Sequence, residues 1–303
     1  MSTLLRRTLC HTSTTVRAVA VETATLAGHL LRYPAGLAPE PRPLPPAGCG
    51  NGACGHGVCG HGICGHPACG HPACGHQGCG HQGCGHPAAG GPPTPVLLLH
   101  GLFDNRSVFL PLRRYLRSHG FERVHAVNYG LLTSDVHDAA VRFGRQLEEV
   151  RRAYGVERVA VVGHSLGGLI ARYYVQRLDG AGQVHSVVTL GTPHQGSYSA
   201  LLLRPLPIAR QLLPGSAVLE ALREPAPDCD TRFVAFWGDR DPLVLPWRNA
   251  QLHHTDLLVE NILVPGAGHL ALTVHPEVLA TIRRLLTEAA PAGQAEPPDR
   301  MTA

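Results

Sequence analysis

From Val96 onward the chain alternates short apolar runs with segments of helical period, and this alternation narrows the fold more than any other feature. "VLLLHG" (96–101), "VHAVNYG" (124–130), "RVAVVGHS" (158–165), "HSVVTLG" (185–191), "RFVAFWG" (232–238) and "LVENILVPG" (258–266) have strand length, and most close on Gly. Strands that are apolar at successive positions are buried on both faces, as in a parallel sheet covered by helices. Between the strands, "DVHDAAVRFGRQLEEVRRAYG" sets Val136, Ala140, Phe143, Leu147, Val150 and Tyr154 three or four apart. That spacing predicts an amphipathic helix ending at Gly155. "GGLIARYYVQRL" reads as a helix apolar on most sides, and "HPEVLATIRRLLTEA" as a last helix with Pro276 at its start. The expectation is one α/β domain over about residues 94–290, a doubly wound, mostly parallel sheet with helices on both faces.

The remainder of the chain has a different texture. Residues 14–33, "TTVRAVAVETATLAGHLLRY", predict a helix with a mostly apolar surface, and either packing on the main domain or contact with lipid would use it. "PAGLAPEPRPLPPAG" follows as a Pro-rich linker, so residues 1–46 read as helix plus linker. Residues 47–93 hold a pentapeptide beat, Cys-Gly-His repeated seven times between Cys54 and His86, closed by "PAAGGPPTP". Eight of the ten cysteines belong to this region, leaving only Cys10 and Cys229 elsewhere, so disulfides are not expected to hold the domain together. Neighbouring units such as Cys54, His56, Cys59 and His61 offer Zn²⁺ a Cys₂His₂ set. The spacers are Gly, Pro, Ala and Gln, with too little apolar mass for a zinc module, so the expectation is a disordered segment with incidental metal affinity. Residues 291–303 read as a flexible tail. A net charge of +4 with no basic block excludes nucleic acid as the expected partner. Arg6 and Arg7 precede an apolar stretch that Arg17 and Glu22 break, so no secretory leader is read. The cytoplasm is the expected compartment, with export left open.

The sharpest local signal is "VVGHSLGG", in which a strand runs into Gly163-His164-Ser165-Leu166-Gly167 and a helix begins at once. A turn this tight forces a strained backbone on the central Ser, and side chains two positions before and after it would clash, so both are Gly. The hydroxyl of Ser165 is then held at the sheet edge over the positive end of a helix. An alcohol is a weak nucleophile at neutral pH and needs a base, which in turn needs an orienting acid. "FVAFWGDRDPLV" offers Asp239 and Asp241 after a strand; Asp241, carried toward the site by Pro242-Leu243-Val244, is the preferred acid, and Asp239 suits the turn itself. "ILVPGAGHLAL" places His269 in a Gly-rich loop after the last strand, making it the preferred base. His253 and His254 precede that strand, and His275 abuts a helix start, where capping is its expected part.

The order Ser165, Asp241, His269 at successive strand ends resembles the α/β-hydrolase superfamily. "LLLHGLFDN", "GHSLGGLIARYY" and "TLGTPHQGS" together look like its bacterial lipase and esterase branch. The resemblance covers about residues 94–290 and implies an α/β-hydrolase fold. It also implies an oxyanion hole from the backbone amides of Leu102 and Leu166, the donors that a tetrahedral intermediate requires. Residues 197–228, rich in Leu and interrupted by Pro205, Pro207 and Pro214, would form a small cap or a mobile lid favouring apolar acyl groups. The expected activity is a serine carboxylic-ester hydrolase working on small ester or lipid substrates without a cofactor, touching lipid transiently through the cap or the N-terminal helix. A thioesterase, amidase or acyltransferase would carry the same triad. A metal-binding protein with an inactive hydrolase domain is the alternative from another class.

Overall fold

The computed structural model describes residues 2–37, 94–129, 134–178 and 180–288, with side chains from Val16 onward. The Cys-Gly-His repeat, with Cys54, His56, Cys59 and His61, and the 291–303 tail lie outside the described residues. The elements run α1 (Ser2–Arg32), β1 (Val96–Leu99), α2 (Leu110–Ser118), β2 (Val124–Val127), α3 (Val136–Tyr154), β3 (Val159–His164) and α4 (Leu166–Arg177). They continue with β4 (Val184–Leu190), α5 (Pro207–Gln211), α6 (Ala217–Ala221), β5 (Arg232–Gly238), β6 (Leu258–Val264) and α7 (Pro276–Glu288).

The six strands form one all-parallel sheet in the order β2-β1-β3-β4-β5-β6. Because successive strand residues point to opposite faces, the unbroken apolar runs feed two cores at once. Leu97, Leu99, Val159, Val161, Val187 and Phe233 pack with α3 and α4 on one face. Val96, Leu98, Val162, Val188, Val234 and Phe236 pack with α2 and α7 on the other. This is the doubly wound arrangement that the alternation predicts.

The helix ends follow local chemistry. Asp135 caps α3 by accepting from the amide of Asp138 at 3.1 Å, and Gly155 closes it in a left-handed conformation (φ 63°). Two elements differ from the sequence reading. β6 is mostly solvent-facing rather than buried, because it is the sheet edge and pairs only with β5 in this order. Helix α1 begins at Ser2 rather than near residue 14; its first part lacks Pro and Gly, so nothing local stops it.

Candidate active site

Strand order reverses between β1 and β3: the chain leaves β1 for β2 on one side and continues from β3 to β4 on the other. Loops at the carboxyl ends of two such strands diverge and leave a crevice between them. Ser165 follows β3 directly and stands there with φ 53° and ψ −122°, a conformation that L-residues rarely adopt. Holding it costs on the order of 1–3 kcal/mol, and backbone bonds on each side over-determine it. The Ser165 amide donates to Leu190 O at 2.9 Å, while Ser165 O accepts from Gly168 N at 3.0 Å and Thr192 Oγ1 at 2.9 Å. The flanking glycines are needed for space: a Cβ on Gly163 would stand 2.6 Å from Gly168 Cα, and one on Gly167 would strike the Leu99 and His100 carbonyl oxygens. Leu166 is the first helical residue of α4, so its amide belongs to the turn whose N–H groups have no intrahelical acceptor.

Asp241 and His269 arrive from the ends of β5 and β6 and meet in the interior, 2% and 3% exposed. His269 Nδ1 lies 2.7 Å from Asp241 Oδ2, while Asp241 Oδ1 accepts from the amides of Leu243 (2.8 Å) and Val244 (2.9 Å). Burial alone would disfavour the Asp241 carboxylate, but His269 beside it and the two amides hold its pKa below the ordinary range. Burial likewise works against a charged His269, yet the Asp241 charge and hydrogen bond outweigh it, and Glu22 and Asp104 add to them. The net result is an imidazole more basic than usual. His164 packs its ring 4.7 Å from that of His269, and burial followed by the His269 charge pushes its pKa down to about 3, so it is neutral there.

The competing candidates do other things. Asp239 accepts from the Gly266 amide at 2.6 Å and so ties the turn after β5 to the one after β6. His253 and His254 sit before β6, bonded to the Gln251 side chain and the Glu224 carbonyl. The carbonyl of His275 accepts from Leu279 N at the start of α7 (3.0 Å).

Ser165, His269 and Leu102 line one cavity of about 710 Å³. Behind Leu102 the His100 ring stacks on Tyr129 at 4.3 Å, and the Tyr129 hydroxyl reaches the carbonyls of His100 (2.7 Å) and Gly101 (3.1 Å). Those carbonyls are thereby occupied behind the cavity wall. The 197–228 segment folds over the cavity as short helical pieces with Ile208, Ala209, Leu219 and Leu222 buried. It is fastened at several points: Ser197 Oγ donates to Leu243 O (2.8 Å), the Val136 amide donates to Gln211 Oε1 (2.9 Å), and Arg172 donates to Leu222 O (2.7 Å). Leu202, by contrast, is 86% exposed at the cavity mouth.

The sequence reading missed what α1 brings. Its Leu26, His29 and Leu30, with Tyr33 just beyond it, line the same cavity. His29 Nε2 stands 2.8 Å from Asp104 Oδ1, and Glu22 accepts from the amides of Leu270 (2.7 Å) and Ala271 (3.0 Å). Glu22, the one acidic residue of this helix, was the available signal. Among the described residues, Asp135, His137 and Asp138 are the one group with metal-ligand donors within 4.8 Å of one another. They belong to the partly exposed first turn of α3, where Asp135 already caps the helix, and are not part of the cavity lining. Also among the described residues, no helix is long and apolar enough to cross a membrane.

Against known proteins, a family profile for the alpha/beta hydrolase fold matches residues 94–225. The chain is 37% identical over 113 residues to a triacylglycerol lipase of Pseudarthrobacter phenanthrenivorans, a stretch covering 34% of each chain. It is equally similar over 113 residues to a triacylglycerol lipase of Burkholderia plantarii, covering 34% of this chain and 30% of that one. The match thus spans about a third of the length of these relatives. Among solved structures, the mature lipase BlEst2 of Bacillus licheniformis superposes with a TM-score of 0.55 at 17% identity, covering 65% of this chain and 93% of that one. Aspergillus fumigatus lipase B gives 0.57 at 15% identity, with 64% and 52% covered. At such identities the likeness carries the fold.

Proposed function

We propose that this chain, whose fold is that of an α/β-hydrolase, is an enzyme of the bacterial lipase and esterase type that cleaves carboxylic esters of lipid-like substrates through an acyl-enzyme on Ser165. The observation that carries this reading is the buried His269–Asp241 pair opening onto the apolar cavity that Ser165 also lines. With Nδ1 committed to Asp241, His269 has Nε2 left to take the Ser165 hydroxyl proton. Oγ then attacks the ester carbonyl carbon, and the oxyanion that forms is met by the amides of Leu102 and Leu166. As the intermediate collapses, the C–O bond to the alcohol breaks and His269 hands its proton to the departing oxygen. Water repeats the sequence on the acyl-enzyme, giving up a proton to His269 and releasing the carboxylic acid and Ser165. Every proton and electron pair moves among Ser165, His269, substrate and water, so the chemistry requires no cofactor.

The walls argue for an apolar acyl group. The exposed Leu26, Leu30, Phe103, Tyr198, Leu202 and Leu243 around the mouth support transient contact with a lipid surface. A fluorophosphonate probe tests the proposal: wild-type chain should be labelled at Ser165 and Ser165→Ala should not. A folded wild-type chain that neither labels nor turns over any ester would overturn it and favour a binding protein with an inactive hydrolase domain.

A further inference from the structure

We infer that Glu22, on the helix that precedes the matched region, is a positioning residue for the catalytic base His269, and that α1 is therefore a working part of the site. The inference rests on the proposed role of His269 and extends it to a segment of chain that neither the family profile nor the strand–helix alternation includes.

The geometry is specific. The Glu22 carboxylate spans the turn that begins at His269: Oε1 accepts from Leu270 N at 2.7 Å and Oε2 from Ala271 N at 3.0 Å. These are the two residues immediately after the base, so the carboxylate fixes the direction in which the loop delivers the imidazole. Both lone-pair edges are used, and charge-assisted bonds of this kind are about twice as strong as neutral ones. The neighbouring Gly268 leaves the room: a side chain there would strike the Glu22 carboxylate. The same helix reaches the other half of the site, because His29, two turns on from Glu22, meets Asp104 at 2.8 Å in the loop that follows Leu102. After the helix, Tyr33 Oη donates to Phe103 O (3.2 Å), Asn105 Nδ2 donates to Tyr33 O (3.0 Å), and Asn128 Nδ2 donates to Gly36 O (2.9 Å). One helix thus fastens the loop of the base and the loop of the oxyanion donor to each other. A helix that merely covered the cavity would need apolar contacts, not a carboxylate on this turn.

The charge has a second effect. The groups facing His269 are Asp241 after β5, Glu22 on α1, Asp104 after β1 and the neutral His164 of β3. Asp241 supplies the largest electrostatic support for the imidazolium, and Glu22 adds to it. Glu22 therefore favours the protonated base that forms when Ser165 attacks, as well as holding its loop.

The test is the pH dependence of fluorophosphonate labelling at Ser165 in the full chain, for wild type, Glu22→Gln and Glu22→Asp. Glu22→Gln keeps the size of the side chain and one acceptor but removes the charge. It should label about tenfold more slowly on the plateau, the loss expected for one charge-assisted hydrogen bond, and its acid limb should move to lower pH. Glu22→Asp keeps the charge and shortens the reach, so it should lose plateau rate while its acid limb stays near that of wild type. A purely structural role would lower the melting temperature without moving the limb. Wild-type rate and limb in Glu22→Gln would overturn the inference, as would a displaced limb in Glu22→Asp should Glu22→Gln fail to fold. Should wild type itself not be labelled, the proposed function fails separately. The His269 titration, followed by NMR in wild type and Glu22→Gln, still decides the role of Glu22: a shift to lower pH supports it and an unchanged titration removes it.

Discussion

Asp241→Asn is the most informative single change, because the two oxygens of Asp241 have different partners. Oδ1 accepts from two backbone amides and Oδ2 faces His269 Nδ1. An Asn must choose. With its oxygen toward the Leu243 and Val244 amides, its NH₂ points at His269 Nδ1 and demands an acceptor there. The imidazole then carries its proton on Nε2 and cannot take one from Ser165. In the reverse orientation the tautomer is correct, but a donor faces two amides that have lost their acceptor, at about 1–3 kcal/mol each. The productive arrangement is thus disfavoured by about 2–6 kcal/mol, a population of one in roughly thirty to one in roughly twenty-five thousand. Turnover of p-nitrophenyl esters should fall by a factor in that range, while thermal unfolding shows the fold retained. Asp239→Asn should fall far less, since Asp239 bonds only the Gly266 amide among the described contacts. A Asp241→Asn variant within tenfold of wild type, or a larger loss in Asp239→Asn, would refute the assignment of the acid.

The raised pKa of His269 sets the pH range, since only the neutral imidazole can accept the Ser165 proton: kcat/KM should fall as pH drops through a midpoint above the ordinary 6.5, and a midpoint below that value contradicts the Asp241 pairing. The same shift favours the folded state most at pH below the unfolded imidazole value and is lost as pH rises through the folded one, so this group's share of stability should decline on the alkaline side of a denaturation series. Across esters of graded chain length, each methylene buried in the apolar cavity is worth about 0.8 kcal/mol, so kcat/KM should climb beyond acetate until the cavity is full; rates that peak at acetyl esters would point to a short-chain esterase. Deleting residues 48–90 should leave ester hydrolysis within about a few-fold of the full chain, because the proposed triad and oxyanion donors all lie beyond Val96. It should also remove most Zn²⁺ or Co²⁺ uptake; a folded deletion without activity, or activity that chelators abolish, would give the repeat a part in the site.

What the sequence discloses about this site follows from how far apart the interacting residues are. The turn around Ser165 is legible because every constraint on it is local: the strand before it, the helix after it, and two glycines whose absent side chains make room for backbone within a few residues or one strand away. Asp241 is distinguishable from Asp239 for a similar reason, since Pro242, Leu243 and Val244 carry the chain onward and present two amides to the carboxylate. The edge position of β6 is less legible, because an apolar run reads the same whether one neighbour or two will cover it; only Glu260 and Asn261 hint at exposure. Glu22 lies at the far end of this scale. Its partners are 248 and 249 positions away, and no period, cap or motif connects them. In the sequence it breaks an apolar stretch, as Arg17 does, and so counts against a secretory leader; in the fold its carboxylate joins α1 to the turn after His269. A partly buried carboxylate needs donors to replace lost water, and the turn after His269 supplies two. Around Glu22 the larger apolar residues, Val19, Val21 and Leu26, are exposed, so this part of α1 is held through polar contacts, Glu22 on the turn after His269 and His29 on Asp104. The pairing of Glu22 with that turn is set by the tertiary fold alone, which is why Glu22 reads in the sequence only as a break in an apolar stretch.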